Sequence, residues 1–282
     1  MYTILMNKLD TQKQVAVVAS LVEGNSIRAT VRMTGVAKKT VLKLLVDIGR
    51  ACQEYQDKVF QNLPCKVLQC DEIWSFCYAK EKNVPRLLKG RMGFGDVWTW
   101  TAIDADSKLV PHWYIGHRNA EDATAFIKGL APRLANRVQL TTDGLKSYIR
   151  AVDKAFHGDI DFSQLVKIYG QGQEPGKYSP AECVGTRIDK INGKPRQRNI
   201  STSFVERQNL TMRMGMRRFT RLTNAFSKKI ENLEAAVALH FMHYNFARIH
   251  QTLRCSPAMR AGVSQALWSI EDIVGLLNQK SK

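Results

Sequence analysis

Over the first sixty residues apolar side chains recur at helical spacing; from residue 66 the pattern changes to that of strands. Residues 11–22 (TQKQVAVVASLV) read as an apolar-faced helix closed by Gly24, and Asn25 is placed to cap a second helix, SIRATVRMT, ending at Gly35. A third starts near Ala37 and carries Val41, Leu44, Leu45 and Ile48 on one face. Two short helices, a glycine-bearing turn and a longer helix predict a small all-α helix-turn-helix domain over residues 1–60. A plain three-helix packing domain is the competing reading. Residues 58–65 read as the linker out of it.

Three strands follow, KVLQCDEIWSF, VWTWTAID and LVPHWYIGH, joined by links short enough for an antiparallel meander. Then come a helix opened by Asn119 (AEDATAFIKGLAPRLAN), a strand (RVQLTTDG), a helix (LKSYIRAVDKAFH) and a strand (FSQLVKIYG). This order predicts an α/β, ribonuclease-H-like domain over residues 66–250, a mixed five-stranded sheet with flanking helices. In that topology the first and fourth strands lie side by side at the centre. Residues 170–200 read as an insertion, with Asn192-Gly193 as a hairpin turn between CVGTRIDKI and KPRQRNIS. A long apolar helix is expected over KKIENLEAAVALHFMHYNFARIH, and residues 251–282 as a helical tail with Pro257 and a last helix near SIEDIVGLL.

Composition is ordinary for a globular chain of 282 residues, with 44% hydrophobic and 24% charged, but the net charge of +17 is not. Such a charge attracts polyanions, and nucleic acid is the usual partner. An anionic membrane surface competes. No apolar run approaches the roughly 18 residues a span needs, and MYTILMNKLD lacks a signal-peptide core. The expectation is a soluble, cytoplasmic, nucleoid-associated protein with no membrane partner. The charge is concentrated: residues 185–229 carry a net +10 and residues 1–60 a net +4. Two separate contacts with nucleic acid are expected. Lys38, Lys39, Thr40 and Lys43 stand at the start of the third helix, where base edges and phosphates would be met. Arg207, Arg213, Arg217, Arg218 and Arg221 supply the second. The six cysteines form no C-x-x-C pair, so no structural zinc is expected.

Three carboxylates have a chemical reading. Asp71 lies in the first strand, where a buried charge is costly without a partner or a metal. Glu72 is its rival, because strand alternation turns one of the two inward. Asp143 ends the fourth strand and is either a ligand or a turn residue before Gly144. Glu206, in a cationic helix, is either the third residue of a capping box with Ser203 or a ligand. Brought together, Asp71, Asp143 and Glu206 suit two Mg²⁺ ions serving both ends of a phosphodiester displacement, with Asp71 as the bridging ligand.

The blocks CDEIWSF (70–76), TTDGLKSY (141–148), STSFVERQNLTMRMGMRRFTRLTNAFSKK (201–229) and HYNFARIHQTLRCSPAMRAG (243–262) resemble the DDE transposases of bacterial insertion sequences, most closely the insertion sequence one family. The resemblance implies catalytic, metal-binding roles for Asp71, Asp143 and Glu206, dependence on two Mg²⁺ or Mn²⁺ ions, and action on double-stranded DNA. The substrates would be the terminal inverted repeats of a mobile element and its target, handled by a homo-oligomer. Asn209 matches the family's E-R-x-N motif and is expected to face the DNA. Glu206, Asn209, Arg213 and Arg217 are expected on one helix face. Many relatives carry a cysteine-rich module before the helix-turn-helix, whose cysteines are absent here. The alternatives are a non-catalytic transposase-derived DNA-binding regulator, and a ribonuclease-H-like nuclease without strand transfer.

Overall fold

The computed structural model describes residues 9–170, 182–220 and 224–279. In chain order the helices α1 (Thr11–Val22), α2 (Ile27–Thr34) and α3 (Lys38–Val59) precede strands β1 (Val67–Cys77), β2 (Gly95–Asp104) and β3 (His112–Gly116). Helix α4 (Ala120–Leu130), strand β4 (Gln139–Thr142), helix α5 (Ser147–Phe156) and strands β5 (Asp161–Tyr169) and β6 (Cys183–Asn192) follow. The chain then runs through α6 (Ser203–Gly215), α7 (Ile230–Met242), α8 (Pro257–Arg260) and α9 (Ile270–Gln279). No helix among the described residues is long and apolar enough to cross a membrane.

Two compact units result. One comprises Met1–Val59, Trp74–Val97 and Leu210–Lys282, the other Phe60–Ile73 and Trp98–Asn209. In the first, α3 packs along α7 and α9, so the helices of residues 1–59 close their core with helices from the other end of the chain. Helix α7 is buried on nearly every side, as its all-round apolar sequence requires. At the crossing, Gly49 lies so close to Ala235 that a Cβ at Gly49 would stand 2.4 Å from the Ala235 Cα. Buried polar groups are matched nearby: Gln56 Nε2 donates to the Cys52 and Ala238 carbonyls, and Asn245 Nδ2 donates to Gln56 Oε1. Helix α2 is capped by Ser26, which accepts from the Ala29 N–H, rather than by the expected Asn25. Its end is Gly35 at φ +68°, a left-handed position that favours glycine.

Strand order in the sheet is β3-β2-β1-β4-β5-β6. The β2–β3 and β5–β6 pairs are antiparallel, whereas β1–β4 and β4–β5 are parallel. Helices α4 and α5 cover the second unit's sheet, where Trp100 packs against Phe126 and Tyr148 at centroid distances of 5.9 and 5.4 Å.

The expected five-stranded sheet is corrected to six. CVGTRIDKIN forms β6 and pairs back onto β5, from Phe162↔Asn192 to Tyr169↔Cys183. The expected hairpin with KPRQRNIS does not form. Gly193 turns the chain at φ +67°, and the next residues are tied down by side chains instead. The Lys194 N–H donates to Asp161 Oδ1, while the Arg196 N–H and carbonyl both bond the Gln139 amide. Residues 171–181 of the expected insertion lie outside the described residues.

Gly49→Ala is expected to lower the urea midpoint. Overpacking against backbone costs about 1–3 kcal/mol, more than the helix propensity of about 1 kcal/mol that alanine returns. An unchanged or higher midpoint would mean that α3 and α7 can part at no cost.

Candidate active site

The site is built at the end of a parallel strand pair. Strands β1 and β4 are in register from Val67↔Gln139 to Cys70↔Thr142, so Asp71 and Asp143 occupy the next position on each. Carboxyl ends of parallel strands are where open α/β sheets carry their ligand sites. Asp143 makes the turn considered for it. Its Oδ1 accepts from the Leu145 N–H at 3.0 Å, fixing the turn, while Oδ2 is left toward the site. Gln164 on β5 holds that turn from below, its Nε2 donating to Thr142 Oγ1 and to the carbonyls of Asp143 and Leu145. A side chain at Gly144 would collide with Val166, 2.9 Å away.

Helix α6 is brought to the same strand by Gln69, two residues before Asp71. Gln69 Oε1 accepts from the N–H groups of Phe204 and Val205 at 2.8 and 3.2 Å. These are first-turn donors that have no partner within their own helix. The capping box expected from Ser203 and Glu206 is not formed. Ser203 is already inside the helix, and Glu206 instead accepts from Thr202 Oγ1 and Lys167 Nζ, both at 2.6 Å. One turn further on, Asn209 is buried and donates through Nδ2 to Asp71 Oδ2 at 2.8 Å. Asn209, expected to face DNA, thus holds Asp71.

Sequence patterning left Asp71 and Glu72 as alternatives; the structure brings in both. Oxygens of Asp71, Glu72 and Asp143 lie within 4.8 Å of one another. Glu206 stands outside this trio, yet its charge acts on Asp71 and Asp143. Burial, reinforced by the Asp143 charge, pushes Asp71 up to about 7 and Glu72 up to about 7, and burial also raises Asp143. Arg118 offsets part of this, with Nε on Glu72 Oε2 at 3.1 Å and Nη2 on Asp143 Oδ2 at 3.5 Å. Tyr148 interacts with Glu72 from α5, but neither its hydroxyl nor Glu72 Oε1 has a partner at hydrogen-bonding geometry. Asn209 Oδ1 is a third buried oxygen without one. Carboxylate and amide oxygens held together and short of positive charge are the donor set that Mg²⁺ or Mn²⁺ takes, so these residues fit a divalent ion.

The basic residues separate into several situations. Lys38, Lys39 and Thr40 are exposed at the start of α3, and Lys43, also exposed, pairs with Asp47 at 2.6 Å. Arg207 is exposed on α6 and Arg213 is half-buried in its last turn. Arg217 is exposed but lies beyond the helix end at Gly215, after an extended Met216, so it does not continue the face of Glu206 and Asn209. Arg218 is half-buried: its Nε donates to Ser227 Oγ, and burial pulls its pKa down to about 10. Arg221 lies outside the described residues. Sequence reasoning missed Gln69, Arg118, Gln164, Lys167 and Thr202. Gln69 alone carried a signal, as a polar side chain two residues from Asp71 on the same strand face.

No family model matches the chain, and no curated protein does. Among solved structures, it is similar to the piggyBac transposase in a cryo-EM synaptic complex with hairpin DNA, at 8% sequence identity and a TM-score of 0.46, over 100% of this chain and 75% of that one.

Asp71 and Glu72 titrate near 7 in the folded protein against ordinary values of 3.8 and 4.5. The folded chain thus holds protons that the unfolded chain has released, and stability falls as pH rises from about 4 to about 7. Asp71→Asn is expected to gain more melting temperature over the wild type at pH 8 than at pH 4.5. Mn²⁺ at pH 8 is expected to raise the wild-type melting temperature more than that of the variant. Equal differences at both pH values would rule out charge crowding at Asp71.

Proposed function

We propose that the protein is a DNA transposase of the insertion sequence one kind, with a ribonuclease-H-like catalytic domain. The observation that carries this reading is the placement of Asp71 and Asp143 side by side beyond the β1–β4 pairing, with α6, which bears Glu206, tied to β1 through Gln69 and Asn209. The sequence blocks around these residues support it. Strand order β3-β2-β1-β4-β5, with β1, β4 and β5 parallel, supports the fold.

Asp71, Asp143 and Glu206 are the residues to hold two divalent ions, with Glu72 and Asn209 beside them. Such ions, when bound, stabilise the charge that develops on the attacking and leaving oxygens. In the first reaction a water oxygen bonds to a phosphorus at the element's end, the bond to the 3′ oxygen breaks, and a 3′-OH is released. In the second, that hydroxyl bonds to a phosphorus of target DNA and displaces another 3′ oxygen. The chain's own contribution is position. Asp71 is fixed by the strand, by the Glu72 N–H and by Asn209; Asp143 is fixed by its turn; Glu206 is held ready by Thr202 and Lys167. Arg207, Arg213 and Arg217 are assigned to DNA phosphates, and Lys38, Lys39, Thr40 and Lys43 to the element's ends. Bringing two ends together calls for a homo-oligomer.

Labelled duplex carrying a candidate element end, incubated with protein and Mg²⁺, is expected to give end nicking and strand-transfer products. Glu206→Gln should still bind the duplex but lose at least about 100-fold in both products, since losing even an outer partner of a metal ligand costs 10–100-fold. Binding with no cleavage, under Mn²⁺ as well and with both ends present, would point instead to a non-catalytic regulator. Affinity for the duplex should also fall steeply between 50 and 200 mM salt (about 10³-fold or more for six or more phosphate contacts). A flat salt response would remove the basic surfaces from the account.

A further inference from the structure

The guanidinium of Arg118 has one firm end and one loose end. It follows β3 and immediately precedes Asn119, the cap of α4, so its backbone is fixed on both sides. Nε donates at 3.1 Å to Glu72, whose side chain is only 1% exposed. The guanidinium carbon also lies 5.0 Å from the centroid of the Trp98 ring, a cation–π distance. These contacts anchor it. By contrast, the Nη2 contact to Asp143 is 3.5 Å, at the limit of a hydrogen bond, between side chains 38% and 34% exposed.

A guanidinium offers five N–H donors in one plane. Two are engaged here, and the side chain is exposed enough for the rest to reach solvent at the mouth of the acid cluster. Glu72 Oε2 accepts from Arg118 Nε, while Oε1 is buried and without a hydrogen bond. Its service is to hold Arg118. Positive charge arriving at Asp143 would cancel the attraction across the 3.5 Å contact while leaving the Glu72 anchor and the Trp98 stack in place.

We propose that Arg118 is a DNA-phosphate-binding residue held in reserve at the acid cluster, on Asp143 in the ion-free protein and on a backbone phosphate once a divalent ion is bound. Glu72 acts through it as a positioning residue. The proposal rests on the cleavage-site reading of Asp71, Asp143 and Glu206. Arginine suits the task because its planar fork matches two phosphate oxygens while Nε stays on the carboxylate.

The test uses the full chain with Arg118→Gln, Arg118→Lys and, as a control, Asp143→Asn. Mn²⁺ binding without DNA is measured by the free-ion electron paramagnetic resonance signal. Duplex binding is measured as a salt titration in EDTA and in Ca²⁺. Arg118→Gln is expected to bind Mn²⁺ more tightly, on the order of tenfold, because a competing positive charge is gone. It should lose about one unit of the salt slope in Ca²⁺ and none in EDTA, the EDTA result also showing that the variant is folded. Arg118→Lys should keep most of the Ca²⁺ slope but bind DNA more weakly. A slope lost equally with and without Ca²⁺, or lost in neither, would overturn the proposal. Unchanged Mn²⁺ affinity in Asp143→Asn would instead overturn the cleavage-site reading beneath it.

Discussion

Parallel pairing of β1 with β4 is the constraint on which the site depends. Two chain segments some seventy residues apart become neighbours at the spacing of a sheet, and their register runs out at Cys70↔Thr142. The next residue on each is an aspartate. Neither would keep its position alone, since Asp143 needs the turn that Gln164 and Gly144 allow and Asp71 needs the Asn209 amide. The sheet therefore creates a concentration of negative charge that local sequence gives no reason to build.

That concentration explains the polar side chains around it. Carboxylates drawn from water and set close together resist ionisation, and each nearby cation or N–H donor reduces the cost. Arg118 does so for Glu72 and Asp143, and Lys167 pairs with Glu206. None of these partners fully satisfies the cluster, as the buried, unbonded oxygens of Glu72 and Asn209 show. A stability-optimised protein would have replaced such a group with apolar residues. Groups of this kind, costly to keep and short of partners, are enriched where proteins bind or react.

Helix α6 is tied to the same strand twice, by Gln69 at its start and by Asn209 one turn after Glu206. A helix held at two points on one face cannot rotate, so the carboxylate between them keeps its direction. The helix ends at Gly215, before Arg217. Periodicity counted straight through that end put four residues on one face, whereas Glu206, Asn209 and Arg213 lie within the helix and Arg217 does not. Burial separated Arg218 from its neighbours in the same way, because a run of arginines in sequence does not say which one packs inward.

Much of the architecture was present in the sequence itself. Local patterning set the helices of the first sixty residues, the succession of strands and helices from β1 to β5, and the candidacy of Asp71, Asp143 and Glu206. The elements follow from side-chain period and Asp71 from the cost of a charge among apolar neighbours, while Asp143 and Glu206 became candidates through the order of the elements and the resembling blocks. The sequence could not choose between Asp71 and Glu72, because register depends on the partner strand. It also missed β6, whose partner lies upstream rather than across the Asn192-Gly193 turn. Arg118, Gln164 and Lys167 sit 46, 21 and 39 residues from the groups they bond, so no local pattern marks them. Sequence by itself determined which segments form and which acids are costly to bury. Only the tertiary structure decided which side chains answer those acids, because hydrogen bonds and ion pairs act over a few ångströms in space, whatever the distance along the chain.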